Sequence, residues 1–270
     1  MLSRSFVMLI HPQIDPVIFK IGPFEARWYG LMYVISFFCV LMLTRYQLKE
    51  RALTNLYPFL ENLLFYSFLG LIIGARLGFC FFYYPDYFLT HPWEIIAVWK
   101  GGMSFHGGLI GGLLTGYVYV KSKGQSFLWW ADLIAVCAPI GLFFGRIGNF
   151  INGEIYGKPT SLPWGMVFPE GGPVPRHPVQ VYEGLVTGLL LFLFLWSLRK
   201  RDWAPGTKFA IFMISYGILR FLFEFLREPA QSFDLIFGWM TMGQVLCLGM
   251  IAAGGLLLYL VKRQGFQKVF

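Results

Sequence analysis

The chain has 270 residues, of which 57% are hydrophobic, 19% aromatic and only 13% charged, with a formal net charge of +8. Soluble domains carry about 45–50% apolar and about 25% charged residues, so the composition excludes an ordinary soluble globular domain. It also excludes nucleic-acid binding, because the basic residues sit in short loops and form no continuous basic face.

Residues 1–27 read as an arm along the outer membrane surface. Phe6-Val7-Met8-Leu9-Ile10 is too short for a signal-peptide core and ends in His11-Pro12, so no cleavable leader is expected. Apolar runs long enough to cross a bilayer, at roughly 20 residues each, then follow near 28–44, 60–82, 104–120, 130–148, 181–197, 208–224 and 241–262. Trp28, Tyr29, Tyr83, Tyr84, Trp129, Trp130, Trp203 and Trp239 stand near their ends, as interface anchors do. Glycines at spacing four (Gly70, Gly74 and Gly78; Gly108, Gly112 and Gly116) suit close helix contact in lipid. Cys39, Cys80, Cys137 and Cys247 all fall in apolar runs and read as small core residues. Only one outer loop is long: residues 149–180 hold six prolines and five glycines, with a short strand expected around Trp164–Phe168.

Basic residues fix the orientation. Arg45, Lys49, Arg51, Lys121, Lys123, Arg199, Lys200, Arg201, Lys208, Lys262, Arg263 and Lys268 fall on one side. The other side holds Arg4, Lys20, Arg27, Lys100, Lys158, Arg176 and Arg227. The richer side is expected in the cytoplasm. The fold class is then an all-α polytopic membrane protein of about seven transmembrane helices. Its N-terminus is outside and its C-terminus cytoplasmic. It is one membrane domain over 1–270, with the 149–180 loop as a small outer head.

This topology puts the unusual polar residues at one depth. Tyr29, Arg76, Ser104, His106, Arg146, Asn149, Gln180, Tyr182, Glu183, Tyr216, Arg220, Glu224, Thr241 and Gln244 all fall toward the outer face. Glu61 and Asp132 are the exceptions, at inner helix starts where a carboxylate suits the helix dipole. A channel needs polar residues through its full depth, and a transporter usually holds its site near the midplane. A one-sided layer suits an enzyme or receptor whose partner is a lipid.

Within the layer, Arg146 ends an uncharged stretch from Leu133 to Phe144 and has no acid at i±3 or i±4. A guanidinium keeps its proton, so Arg146 meets either Glu183 or Glu154 from elsewhere in the chain, or an anionic ligand. Tyr216, Arg220 and Glu224 share one helix face at i, i+4, i+8. Either Arg220 and Glu224 neutralise each other, or Arg220 joins Arg146 on an anion. Arg76 is a weaker candidate. His106 opens a helix between Ser104 and two glycines, where a neutral imidazole can accept a proton. His11, His91 and His177 read as loop residues. No His/Asp/Glu cluster suggests a metal, and Gly-x-Ser-x-Gly and His-Glu-x-x-His hydrolase patterns are missing.

The run Gly145-Arg146-Ile147-Gly148-Asn149-Phe150-Ile151-Asn152-Gly153-Glu154-Ile155-Tyr156-Gly157 resembles the signature of the bacterial prolipoprotein diacylglyceryl transferases. Further segments are similar in the same order: Arg27 to Tyr33, Gly101 to Gly108, Arg176-His177-Pro178 with Gln180, Tyr182 and Glu183, and Tyr216-Gly217 with Arg220 and Glu224. The resemblance covers nearly the whole chain. It implies transfer of the diacylglyceryl group of phosphatidylglycerol to the lipobox cysteine of a prolipoprotein, without a cofactor, at the periplasmic leaflet of the inner membrane. It implies His106, Arg146 and Arg220 as catalytic residues. Tyr29, Asn149, Asn152, Gly157 and Tyr216, with Arg146, are expected to bind substrate. Glu154, Glu183 and Glu224 are expected to orient the arginines.

Overall fold

A computed structural model describes residues 9–22, 24–98, 101–228, 235–236 and 240–264. Arg4, Phe6, Val7, Met8, Lys100, Trp239 and Lys268, used above, lie outside the described residues. The chain is a mostly helical, polytopic membrane protein. Its helices are α1 (Trp28–Glu50), α2 (Tyr57–Phe82), the short α3 (Pro85–Thr90), α4 (Phe105–Ser122), α5 (Phe127–Ile151), α6 (Val179–Ser197), α7 (Thr207–Glu224) and α8 (Met242–Gln264). Every apolar run of the sequence falls on one of them. Among the described residues, five helical stretches are long and apolar enough to cross a membrane: Trp28–Glu50, Thr54–Phe82, Phe127–Ile151, Val179–Ser197 and Met242–Arg263. The other two long helices, α4 and α7, are less apolar. Gly107, Gly108, Gly111, Gly112 and Gly116 dilute α4, and α7 carries Lys208, Arg220 and Glu224. The helices that bear His106 and Arg220 are thus the polar ones.

The chain divides into two compact units, one of residues 21–24 and 41–130, the other of residues 1–20, 25–40 and 131–270. In the first, α2 and α4 pack backbone to backbone. A Cβ at Gly74 would stand 2.3 Å from the Gly107 carbonyl oxygen, and one at Gly111 would stand 2.2 Å from that of Gly70. Gly107 and Gly111 therefore complete the contact row that the spacing of Gly108, Gly112 and Gly116 suggests. Ser104 caps α4 by accepting a hydrogen bond from the Gly107 amide at 3.2 Å. The same residue ties α4 to α2, since its amide donates to the Ala75 carbonyl at 2.8 Å.

Arg76 belongs to this scaffold. It is buried, and its guanidinium donates to the backbone carbonyls of Glu94, Ile95, Gly101 and Gly102. Phe79 and Phe88 flank it at 5.8 and 5.2 Å from ring centroids. Its charge is spent on fixing the loop that leads into α4. Trp130 is a core residue rather than an interface anchor: it is 1% exposed and stacks on Phe59 at 4.6 Å. Glu61 pairs with Arg45.

In the second unit, Val136, Leu191 and Leu195 form a core against which Ile211, Phe212, Tyr216 and Leu219 pack. Glycines again set close approaches, Gly217 and Gly254 between α7 and α8, and Gly188 against the backbone of Phe143. Residues Gly184–Leu190 of α6 wind as a π-helix at that approach. Asp132 caps a neighbouring helix rather than its own. It accepts from the amides of Gly206 and Phe209 at 3.0 and 2.8 Å, at the start of α7. Lys208, read above as a loop cation, is buried in the first turn of α7 and donates to the Arg199 carbonyl at 3.1 Å. Cys80, Cys137 and Cys247 are buried and Cys39 is partly so.

The arm and the 149–180 loop are joined. The expected strand is β4 (Met166–Val167), which pairs in parallel with β1 (Leu9–Ile10). A hairpin of β2 (Val17–Ile21) and β3 (Phe24–Arg27) leads into α1. On the exposed hairpin, hydrogen bonds first from Lys20 and then from Arg27 hold the Glu25 carboxyl down at about 2. His11 is not a solvated loop residue: it is 3% exposed, with Nε2 2.6 Å from the Phe150 carbonyl oxygen and its ring against Phe150 and Phe168. It pins the arm to the end of α5.

Replacing Gly111 with isoleucine forces α4 away from the Gly70 carbonyl. We expect a cost of about 1–3 kcal/mol, as for other overpacked positions. A lower melting temperature in detergent is the readout, and a wild-type value would remove the close-packing account of these glycines.

Candidate active site

Arg146 lies in the last turns of α5, where that helix stops being apolar. Its Nη1 donates to Asn149 Oδ1 at 3.0 Å, one helical turn on. Its Nη2 reaches Glu183 Oε2 at 2.6 Å, across to α6. Glu183 faces a second guanidinium, with Arg220 Nη1 of α7 at 3.8 Å from Oε1. Arg220 also pairs with Glu224 one turn along α7. Glu224 is shared in turn: Arg227 Nη1 lies 3.9 Å away, and Thr241 Oγ1 donates to it at 2.9 Å. Three guanidiniums thus surround two carboxylates.

Burial makes these charges matter. The Glu183 side chain is 1% exposed, and Arg146, Arg220 and Arg227 are 17%, 13% and 23% exposed. Neither Glu183 oxygen has an aligned hydrogen-bond donor, so ion pairing offsets its desolvation. Room for these side chains comes from glycine. A Cβ at Gly184 would touch Arg146 Cβ at 3.4 Å, and one at Gly243 would meet Glu224 Oε1 at 2.8 Å.

The rest of the signature run builds a relay and a turn. Asn149 passes its amide on to Glu154 Oε1 at 2.8 Å, and Asn152 donates to the same oxygen at 3.2 Å. Glu154 therefore holds Asn149, and through it Arg146, but pairs directly with none of the described arginines. The chain reverses here through two left-handed residues, Gly153 (φ +69°) and Ile155 (φ +62°). A β-branched residue in that region costs about 1–3 kcal/mol and persists only where neighbours over-determine it. Those neighbours are Gln180, whose Nε2 donates to the Glu154 carbonyl at 2.7 Å, and the Gly157 amide, which donates to the His177 carbonyl at 2.8 Å.

Gly157 closes the run by bridging to Arg227 in antiparallel fashion. Any Cβ there would collide with the Leu226 carbonyl oxygen at 2.6 Å and with Val179 and His177. The segment after α7 is thereby stitched to the 149–180 loop. Arg176 reinforces the seam: it pairs with Glu228 at 3.0 Å, donates to Gly171 at 2.8 Å and lies over the Tyr156 ring. His177 is partly buried in the seam, and burial pushes its imidazole below the usual range, toward the neutral form.

Aromatic residues line the arginine cluster. Tyr216 packs beside the core of α6 and α7, within electrostatic reach of Arg146, Arg220 and Glu183. Tyr29 lies on Gly148, where a Cβ would stand 2.7 Å from its ring, and its hydroxyl is 3.4 Å from that of Tyr33. Tyr33 in turn feels the charges of Arg146 and Glu154.

The structure therefore brings Tyr29, Arg146, Asn149, Asn152, Glu154, Gly157, Glu183, Tyr216, Arg220 and Glu224 into one unit. His106 is in the first turn of α4, on the exposed side, and belongs to the other unit. Sequence reasoning missed Arg227 and Tyr33. Arg227 lies in a loop just after α7, as expected, and it is the bridge to Gly157 that brings it to the cluster. Tyr33 lies four residues from Tyr29, one turn away on the same face.

Residues 16–260 match the family model described as prolipoprotein diacylglyceryl transferase. Similar curated proteins carry the name phosphatidylglycerol–prolipoprotein diacylglyceryl transferase. One from Bordetella avium is 49% identical over 97% of this chain and 100% of its own length. Another from Nitratidesulfovibrio vulgaris is 46% identical over 92% and 94%. A third from Cupriavidus metallidurans is 44% identical over 96% and 97%.

Glu183→Gln leaves Arg146 and Arg220 without their shared counter-charge. Breaking one partner out of a buried pair costs about 3–5 kcal/mol, so the variant should melt well below the wild type in the same detergent. Equal melting temperatures would mean that Glu183 does not hold the arginines.

Proposed function

The chain belongs to the prolipoprotein diacylglyceryl transferase family, and we propose that its arginine cluster binds the phosphate of phosphatidylglycerol during transfer to a lipobox cysteine. The protein is a transferase of lipoprotein biosynthesis. It moves the diacylglyceryl group of phosphatidylglycerol to a prolipoprotein, forming a thioether and releasing glycerol phosphate. The observation that supports this site is the group of three partly buried guanidiniums around two carboxylates, an unbalanced positive charge in an apolar setting.

In the reaction, thiolate sulfur attacks the glycerol carbon that bears the phosphate. The carbon–sulfur bond forms as the carbon–oxygen bond breaks, and the electron pair leaves on the phosphate oxygen. The departing group gains negative charge, which fork-shaped donors in a water-poor site stabilise best. Arg146 and Arg220 fill that role in our reading. Glu183 and Glu224 aim them, and Glu154 aims Arg146 through Asn149. Tyr29, Asn149, Asn152, Gly157 and Tyr216 contact the glycerol headgroup or shape its space. A free thiol has a pKa of roughly 8.5 and needs a base or a positive field. We assign the proton to His106, on its residue type and its place at a glycine-flanked helix start.

In our reading the N-terminus is outside and the C-terminus cytoplasmic, and the seven long helices hold this chemistry at the periplasmic leaflet of the inner membrane. Residues 149–180 then form the periplasmic head. Charge asymmetry of the loops and the one-sided polar layer support that orientation.

Mass spectrometry of a lipobox peptide incubated with the protein and phosphatidylglycerol should show one diacylglyceryl adduct on cysteine. An unmodified peptide would overturn the assignment. Arg146→Lys keeps the charge but loses the bidentate fork, so transfer should fall by at least about a hundredfold while the protein still folds; near-normal transfer would remove the clamp. His106→Gln should lower transfer and flatten its rise with pH, and an unchanged pH profile would show that His106 is not the base.

A further inference from the structure

We infer that Arg227, a residue outside the expected catalytic set, is the third anion-binding cation of the site and contacts the phosphate headgroup of the lipid. The inference rests on the family reading above and names the group that sets affinity for the lipid's charge. The argument is one of saturation. Arg146 commits one Nη to Asn149 and the other to Glu183. Arg220 commits Nη1 to Glu224, with Glu183 behind it. Among the described residues Arg227 has one ion pair, with Glu224, and at 3.9 Å it is beyond hydrogen-bond reach. Glu224 already serves Arg220 and Thr241. At 23% side-chain exposure, Arg227 is also the most accessible of the three guanidiniums.

Charge leads to the same residue. Around Arg227 the facing charged groups are Arg146, Arg220, Glu183 and Glu224. Glu154 holds side-chain amides instead, and the adjacent Glu228 is taken by Arg176. Three cations against two carboxylates leave an excess of one positive charge. A phosphodiester carries one negative charge, so one bound lipid headgroup balances the cluster. The least neutralised guanidinium is where that balance is made.

The backbone shows that the placement is built. Residues 226–228 are anchored to the signature run by the Gly157–Arg227 bridge, by the Lys158 amide on the Leu226 carbonyl at 2.9 Å and by the Arg176–Glu228 pair. That seam fixes the stem of Arg227 while leaving its tip unsaturated.

The test measures transfer to a lipobox peptide against phosphatidylglycerol concentration for wild type, Arg227→Gln and Arg227→Lys. A second arm measures binding of free glycerol phosphate to the same three proteins, without any turnover. Loss of one charge-assisted contact should raise KM for phosphatidylglycerol about ten- to a hundredfold in Arg227→Gln, with kcat changed far less. Glycerol phosphate binding should weaken in parallel, and Arg227→Lys should fall between the two. A wild-type KM and wild-type glycerol phosphate affinity in Arg227→Gln would overturn the inference. So would a fall in kcat at unchanged KM, which marks a structural role. If Arg227→Gln does not fold, the lysine variant decides: an unchanged KM there refutes the contact. Absence of transfer by the wild type would sink the family reading alone, because the binding arm still reports on Arg227.

Discussion

A carboxylate with 1% exposure and no aligned hydrogen-bond donor is an expensive object, and Glu183 is that object. It persists because Arg146 and Arg220 both face it. Each of the three charges would be costly alone in an apolar bundle. Together they fix α5, α6 and α7 at one height, since moving any of these helices separates a buried pair. Close packing serves the same pair: Gly184 admits Arg146, and Gly188 admits the backbone of Phe143 one turn earlier. The π-helical turn spans both of these glycines.

The pairing also shapes chemistry. Guanidiniums held by a carboxylate on one side are preorganised, so little reorganisation is needed when charge develops on a departing phosphate. The carboxylates also temper the site. In the proposed site, an unopposed three-arginine cluster would bind the leaving dianion too well to release it, whereas two acids reduce the excess to one charge. Strength of grip and ease of release are set by the same count.

Much of the arrangement was legible along the chain. The i, i+4, i+8 spacing put Tyr216, Arg220 and Glu224 on one face, and the absence of an acid within a turn of Arg146 required a partner from elsewhere. Glu183 was one of two possibilities, and only tertiary structure separates it from Glu154, which turns to Asn149 and Asn152 instead. Other readings failed for physical reasons. Trp130 sits at a helix end, as an anchor does, but Phe59 stacks over it and takes it into the core. His11 precedes a proline in an arm, yet the β1–β4 pairing draws it under Phe168. Arg76 was an ambiguous charge until the path of residues 94–102 showed four carbonyls converging on it. Each miss depends on contacts between segments far apart in sequence, which periodicity does not encode.

The signature run is best understood as wiring rather than as a row of reactive groups. Arg146 is its only cation. Asn149 and Glu154 hold that cation by a two-step relay, on the side away from its direct pair with Glu183. The left-handed turn at Gly153 and Ile155 then redirects the chain, and its strain is tolerated because Gln180 and His177 grip the backbone on either side. What the turn delivers is Gly157, flush against residues 226–228. One linear segment thus sets the position of Arg146 through side chains and of Arg227 through the backbone. A change at Gly157 therefore reaches the arginine cluster without touching a single charged group.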